Sequence, residues 1–320
     1  MIALYDPRRG QDLGTFNAVD LQRIHWREAA GVAEDELRRF LGLTDEWDVV
    51  LYDRATHALE AAIGSLSPIR VILPANTYRA ADDAALLAGK DPEFVDSPLG
   101  VVDPDRQAIT VPTPLWGQEP WFTDDVGQMV VLDCAHVCYE NMFRELPPPA
   151  PDRFWCAVLS FFPTKPCGAF GGGALIISRQ FSSELRRHAW PIDAAWTCAF
   201  DYPATVQSVA IRRRLEWEKT EDAQRYWDEQ QTQYQDLLNW LRSEGFAPIL
   251  VTAPIRPHLL PVHYDEQLEQ LCKNARIEYG RHYPTLPYCA EHPFLTIPFW
   301  TPEVVARLQA QFASHSPSFR

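Results

Sequence analysis

The sequence predicts an α/β fold: a mainly parallel sheet covered by helices on both faces, followed by a smaller α/β domain at the carboxyl end. Three observations carry this. Short apolar runs alternate with helical stretches over the first 180 residues. The runs are continuous rather than alternating, as in strands buried on both faces. Beyond residue 205 the rhythm changes to a long polar helical stretch that carries the chain out of the first domain.

Taken in order, Asp48 to Tyr52 reads as a strand leading into a helix over Ala58 to Ile63. Val71 to Leu73 is the next strand, Ala80 to Ala88 the next helix, and Pro92 to Val95 a further strand. Ala108–Val111, Met129–Leu132, Trp155–Leu159 and Ala174–Ile177 continue the set. A single proline-free helical stretch is expected from Thr205 to Ser243, stopped at Gly245, with Trp217, Trp227 and Trp240 packed along it. The tail reads as strands at Pro248–Val251, Leu259–Val262 and Phe294–Ile297, with helices over Glu266–Ala275 and Pro302–Phe312. The division falls at 1–214 for the large domain and 215–320 for the small one. Pro147 to Pro151 marks a stiff loop.

Composition narrows the function. The 320 residues are 46% hydrophobic and 22% charged, as in a globular protein able to bury a core. With 29 basic and 43 acidic side chains the formal charge is −14, which repels nucleic-acid phosphates and anionic lipid surfaces. No run reaches the ~18 to 20 apolar residues of a membrane-spanning helix, and the start lacks the basic-then-apolar order of a signal peptide. A cytoplasmic location is expected. The seven cysteines are scattered. Cys134 and Cys138 flank His136, but no second cluster completes a tetrahedral metal site, so they read as buried, reduced thiols and no metal is expected.

Three segments bear chemistry. In Ser160–Phe161–Phe162–Pro163–Thr164–Lys165, followed by Gly168 and Gly171–Gly172–Gly173, a strand delivers Ser160 and a tight loop presents Lys165. Desolvation between an apolar strand and a glycine cluster would lower the lysine's pKa and make it nucleophilic toward an aldehyde; a solvated surface charge is the bland reading. Asp133 ends a buried strand, where open α/β sheets place ligand groups. It reads either as a helix N-cap or as an acid that keeps a ring nitrogen protonated. His136 reads as a satisfied core histidine or as a hydrogen-bond partner of a ligand. The third segment, Asp53 to Leu59, takes a strand into a helix N-terminus, whose free N–H groups suit a phosphate. Tyr78, after the next strand, offers either a flat ring for a ligand or ordinary packing.

In this order and spacing the segments resemble the DegT/StrS family of sugar aminotransferases. The matching residues are Thr56; Pro74, Thr77 and Tyr78; Asp133, Ala135 and His136; and Ser160, Pro163, Thr164, Lys165, Gly168, Gly171, Gly172 and Gly173. The match spans about residues 35 to 180 and continues more weakly through Asp201–Tyr202, His282–Tyr283–Pro284 and Leu295–Pro298. The resemblance implies a fold-type-I enzyme with a seven-stranded sheet, pyridoxal 5'-phosphate as cofactor with pyridoxamine phosphate as its amino-carrying form, and a homodimer sharing active sites. Carried over by position, Lys165 holds the cofactor as a Schiff base and shuttles the proton, Asp133 pairs the ring nitrogen, His136 contacts the phenolic oxygen and Tyr78 lies against the ring. Ser160 with the backbone of Ala55 and Thr56 would hold the phosphate, and His282 and Tyr283 would line the acceptor pocket.

Two departures from the family pattern bear on the phosphate. Arg54–Ala55 stand where the family has Ser-Gly, and Asp201 stands where it has the asparagine that reaches the partner's phosphate. Arg54 would offset the charge of Asp201. The implied reaction moves an amino group from a donor such as glutamate to a keto sugar, nucleotide-linked or not, or a similar polyhydroxylated ketone. A cofactor-dependent lyase or dehydratase and a non-enzymatic relative with a decayed site are the alternatives.

Overall fold

The computed structural model describes residues 2–6, 11–16, 26–95, 97, 102, 105, 107–120, 129–150, 153–189, 205–250, 254–277, 279–281, 294–298 and 303–315. Its centre is a seven-stranded sheet in the order β3-β9-β8-β7-β6-β4-β5. The strands are β3 (Trp47–Tyr52), β4 (Arg70–Pro74), β5 (Asp91–Val95), β6 (Ile109–Thr110), β7 (Met129–Asp133), β8 (Phe154–Ser160) and β9 (Gly173–Ser178). β9 pairs antiparallel with both β8 and β3, while the other pairs are parallel. All strands but β9 therefore point their carboxyl ends at one edge, where Asp53, Pro74, Asp133 and Ser160 gather and where β9 begins.

Both faces of the sheet are covered. Along β3, Val49 and Leu51 enter one apolar cluster while Val50 and Tyr52 enter the other. The period of two thus sorts one strand between two cores. One face is covered by α1 (Trp26–Phe40) through Ala30, Ala33, Leu37 and Phe40, and by α5 (Thr205–Glu218) through Ala210, Ile211 and Leu215. The other is covered by α2 (Ala55–Gly64), α3 (Arg79–Leu87) and α4 (Arg179–Ala189). Each fully buried Leu, Ile or Val contributes about 1.5–3 kcal/mol by leaving water. The strap that binds α1 to the sheet is polar: Arg186 of α4 contacts Glu34 at 2.6 Å, and the other Glu34 oxygen accepts the Leu51 N–H at 2.9 Å.

Beyond α5 a second core forms around a three-stranded sheet, β10 (Leu259–His263), β12 (Phe294–Pro298) and β11 (Gly280–Arg281), with β12 in the middle and all pairs antiparallel. α6 (Glu221–Ser243), α7 (Glu266–Asn274) and α8 (Glu303–His315) pack on it, with Tyr234, Leu237, Leu238 and Leu241 facing inward. Leu115 and Trp116, from the β6–β7 connection, also belong to this core. A separate hairpin joins β1 (Ile2–Asp6) to β2 (Gln11–Phe16). No helix among the described residues is long and apolar enough to cross a membrane.

The sequence expectation fails at two places. The single helix over 205–243 is two helices, because the Thr220 side chain accepts the Ala223 N–H at 3.2 Å and Glu221 and Asp222 follow in the first turn. A capping hydroxyl followed by acids starts a new helix rather than continuing the old one. Of the strand expected over 248–251, residues 248–250 are described and form a single bridge, Pro248 to Val262, where the Ile249 N–H donates to the Pro261 carbonyl at 2.9 Å but Pro261 has no N–H to return. The hairpin, α1 and α4 are elements that the strand rhythm did not reveal.

Candidate active site

The lysine loop is built on hydrogen bonds that leave its backbone no freedom. The Lys165 N–H donates to the Phe162 carbonyl at 2.9 Å and the Gly168 N–H donates to the Lys165 carbonyl at 2.8 Å, so Lys165 stands between two consecutive turns. Ala169 and Gly171 both donate to the Phe161 carbonyl, at 2.9 and 3.1 Å, and Phe161 donates to Gly172 at 3.0 Å. A Cβ at Gly168 would lie 2.7 Å from the carbonyls of Phe162 and Pro163, so only glycine closes the loop. Gly171 and Gly172 have φ of 96° and 107°, the left-handed side that glycine tolerates without strain.

The Lys165 side chain reaches into a cavity of about 640 Å³ at the carboxyl edge of the sheet. Asp133, Ser160, Tyr78, Arg54, Ala55 and Thr56 line the same cavity. Lys165 Nζ lies 2.7 Å from His136 Nε2 and 5.4 Å from the centre of the Tyr78 ring. The structure therefore brings together the described members of the set that the motifs single out. Asp201, His282 and Tyr283 lie outside the described residues, as do Cys198 and Cys289. Cys134, Cys138, Cys156, Cys167 and Cys272 are buried free thiols.

Enclosure sets the electrostatics. Loss of hydration lowers Lys165 to about 8, with the Asp133 charge opposing the shift. Burial pushes Asp133 above its ordinary range, against the Ala135 N–H and the Lys165 charge. Asp133 Oδ1 accepts that N–H at 3.0 Å in a turn and caps no helix, because the segment after β7 is not helical. Ser160 Oγ accepts the Phe162 N–H at 3.4 Å.

The opposite wall is the start of α2, which has no side-chain cap. β9 passes so close beneath it that a Cβ on Gly173 would lie 2.5 Å from the Ala55 nitrogen. The Arg54 side chain, 63% exposed, bonds to Asp53 at 3.1 Å, and Asp53 also contacts His57 at 2.6 Å. At the mouth stand three exposed rings, Tyr78, Phe162 and Phe170.

Sequence reasoning missed several residues around this site. Gln207 of α5 lines the cavity and donates to the Asp53 carbonyl at 3.3 Å. Two turns on, the fully buried Arg214 donates to the Pro166 carbonyl at 2.9 Å and pairs with Glu218 at 2.5 Å. Glu218 also accepts the Trp227 indole N–H at 3.0 Å and faces Arg256 at 3.6 Å. The signal was the spacing of Gln207, Ile211 and Arg214 on one helical face. Trp116 and His258, both beside His136, carried no signal in the sequence.

No family model and no curated protein matches the chain in sequence. Solved structures do match in shape. A DegT DnrJ EryC1 StrS aminotransferase from Brucella abortus superposes with a TM-score of 0.66 at 15% identity, over 93% of each chain. NtdA from Bacillus subtilis with bound cofactor PMP gives 0.63 at 16% identity, over 89% of this chain and 75% of that one. Helicobacter pylori PseC, an aminotransferase involved in the biosynthesis of pseudoaminic acid, gives 0.64 at 15%, over 89% and 91%. At such identities the likeness is one of fold: the chain folds as the DegT/StrS aminotransferases do.

Proposed function

We propose that this chain is a pyridoxal-phosphate-dependent aminotransferase, a cytoplasmic homodimer that moves the amino group of a donor such as glutamate onto a keto sugar, nucleotide-linked or not, or a similar polyhydroxylated ketone. The observation that carries the reading is an enclosed lysine amine, hydrogen-bonded to His136, in one cavity with a buried carboxyl group on the carboxyl edge of an aminotransferase-type sheet. NtdA, with bound PMP, lends the cofactor by analogy of fold, and PseC lends the reaction.

The residues present fit the cofactor. The amine is shifted toward its nucleophilic form. The carboxyl group that would face the ring nitrogen is buried. The wall near the uncapped start of α2 is bare backbone at Gly171 and Gly172, where a Cβ would meet Gln207 and Ile211 at 3.1 Å. Bound there, pyridoxal phosphate supplies a carbonyl that an amine can join and a protonated ring that takes up an electron pair.

Lys165 Nζ would hold the aldehyde carbon of the cofactor and, once released from it by the incoming amine, would take and return a proton in each half of the transfer, in the free-amine form that enclosure favours. Asp133 would hold a proton on the ring nitrogen; a cation at that point restores the charge that burial opposes. Ser160 Oγ and the Ala55 and Thr56 N–H groups would hold the phosphate, helped by the α2 dipole. Tyr78 would pack against the ring. We assign Asp201 to the cross-subunit phosphate contact and His282 and Tyr283 to the acceptor, and divide the chain into a cofactor-binding unit, 1–214, and a small unit, 215–320.

The test is the visible absorption spectrum of the purified protein with added pyridoxal phosphate, before and after glutamate, beside Lys165→Ala. The expected result is a yellow band that bleaches with glutamate and is absent from the variant. A native protein that never develops the band overturns the reading in favour of a non-enzymatic relative.

A further inference from the structure

The imidazole of His136 is held from both sides. Its Nδ1 accepts the backbone N–H of Trp116 at 3.2 Å, and its Nε2 stands 2.7 Å from Lys165 Nζ. A ring nitrogen that accepts a hydrogen bond carries no proton, so the proton of the neutral ring is on Nε2. An Nε2–H donates, and Lys165 can accept it only through the lone pair of an uncharged amine. The ammonium form would need the opposite tautomer, with Nδ1–H set against the Trp116 N–H.

The N–H that makes this choice is itself fixed. Trp116 has φ of 58°, a left-handed conformation unusual for a bulky residue. Gly117 follows at φ of 88°, and a Cβ there would lie 2.0 Å from the Arg256 carbonyl oxygen. Arg256 in turn donates its N–H to the Gly117 carbonyl at 3.2 Å. The Trp116 indole is fully buried in the second core, edge-on to Phe294 at 5.6 Å. Strain of this kind persists only where the surroundings over-determine it.

We propose that the Leu115–Gly117 turn is a positioning device: the Trp116 N–H locks His136 as its Nε2–H tautomer, which holds Lys165 as a free amine before any cofactor arrives. Trp116 acts through His136 and is a positioning residue. The importance of the lock rests on Lys165 being the nucleophile of the reaction proposed above; its existence does not. Among the described residues, the titratable and charged groups placed against this pair include Asp133, whose charge favours the ammonium form, Tyr78, whose ring centre is 5.4 Å from Lys165 Nζ, and His258, packed edge-on against the His136 ring at 5.2 Å. The guanidinium of Arg256, two residues from His258, is turned to Glu218 and Trp227. The enclosure of the amine acts in the same direction as the lock.

The test is the nitrogen NMR spectrum of the full chain labelled at histidine and purified without cofactor, with His136→Gln identifying the resonances. At about pH 7, where an ordinary histidine is near its midpoint, His136 is expected to be neutral with its proton on Nε2. Trp116→Phe, which keeps the backbone N–H, should leave that signature in place. Gly117→Ala, which must displace the turn from Arg256, should shift the ring toward Nδ1–H or the charged form. A native His136 that is protonated on Nδ1, alone or as the cation, overturns the lock whether or not the glycine variant folds. The tautomer found as stated in a protein that develops no yellow band upholds the lock while the aminotransferase reading fails.

Discussion

The two sheets contribute to the site in different ways. The carboxyl edge of the seven-stranded sheet supplies Asp133, Ser160 and Lys165 within loops whose bonds are local in sequence, such as Lys165 to Phe162. The core around the three-stranded sheet supplies supports from other segments of the chain: Trp116 and, from far beyond it, His258 on His136, and Arg256 beside the buried Arg214–Glu218 pair. The first region places the reacting groups, and the second fixes their orientation and charge. A local motif can therefore be intact in a chain whose supporting shell is built quite differently.

That contrast can be broken experimentally. The largest effect is expected at Arg214, which no motif marks. Arg214→Met leaves Glu218 buried against the Trp227 indole N–H and the more distant Arg256, and should cost about 3 kcal/mol or more in urea unfolding. It should also weaken cofactor binding, because the Pro166 carbonyl loses the bond from the Arg214 guanidinium. The double variant Arg214→Met/Glu218→Gln should recover part of the stability. A loss below about 1 kcal/mol in the single variant would mean that the Arg214–Glu218 pair is not needed to hold the lysine loop.

Next comes pH. Because enclosure lowers Lys165 to about 8, the His136 lock acts further in the same direction, and deprotonation gives the nucleophile, capture of pyridoxal phosphate by the cofactor-free chain should speed up as pH rises and be level by about pH 8. A tenfold change per pH unit, well below that plateau, is the slope of a single titrating amine. Stopped-flow absorbance reads it directly, and a rate still climbing toward pH 10 would place the lysine in an ordinary environment.

Gly173→Ala tests the motif side. Its Cβ would meet the Ala55 nitrogen at 2.5 Å, so β9 and α2 must separate, at about 1–3 kcal/mol in stability and with weaker cofactor binding. The smallest effect is Gln207→Ala, which removes one hydrogen bond to the Asp53 carbonyl; a loss of about 1 kcal/mol in cofactor affinity by equilibrium titration is expected. If Gln207→Ala proves more damaging than Gly173→Ala, α5 is a primary wall of the cavity rather than a support.

The order of these effects also shows what the sequence could disclose. The strand rhythm from Asp48 to Ile177 was legible because each strand is a continuous apolar run, and the site loops were legible because glycine, proline, lysine and aspartate at fixed spacing leave few foldings open. α1 was equally periodic, with Ala29, Ala30, Ala33, Leu37 and Phe40 on one buried face, yet a reading tuned to strands passed over it. The break at Thr220 was a capping signal hidden in a proline-free stretch. Trp116 was beyond reach, since its contribution is a backbone N–H whose direction depends on Arg256, well over a hundred residues away.

The antiparallel β9 has a consequence for folding. It turns the lysine loop into the closure of a β8–β9 hairpin, where Ser160 pairs with Gly173. Such a closure needs neither a crossover helix nor a distant strand. The other flank of β9 joins β3, with Trp47 opposite Ser178, and must wait for a contact spanning most of the large sheet's sequence. Contacts of low sequence separation close first. The loop that carries Lys165 should thus be shaped early, and the approach of Gly173 to Ala55, which completes the wall facing it, should come with the late and slow docking of β3.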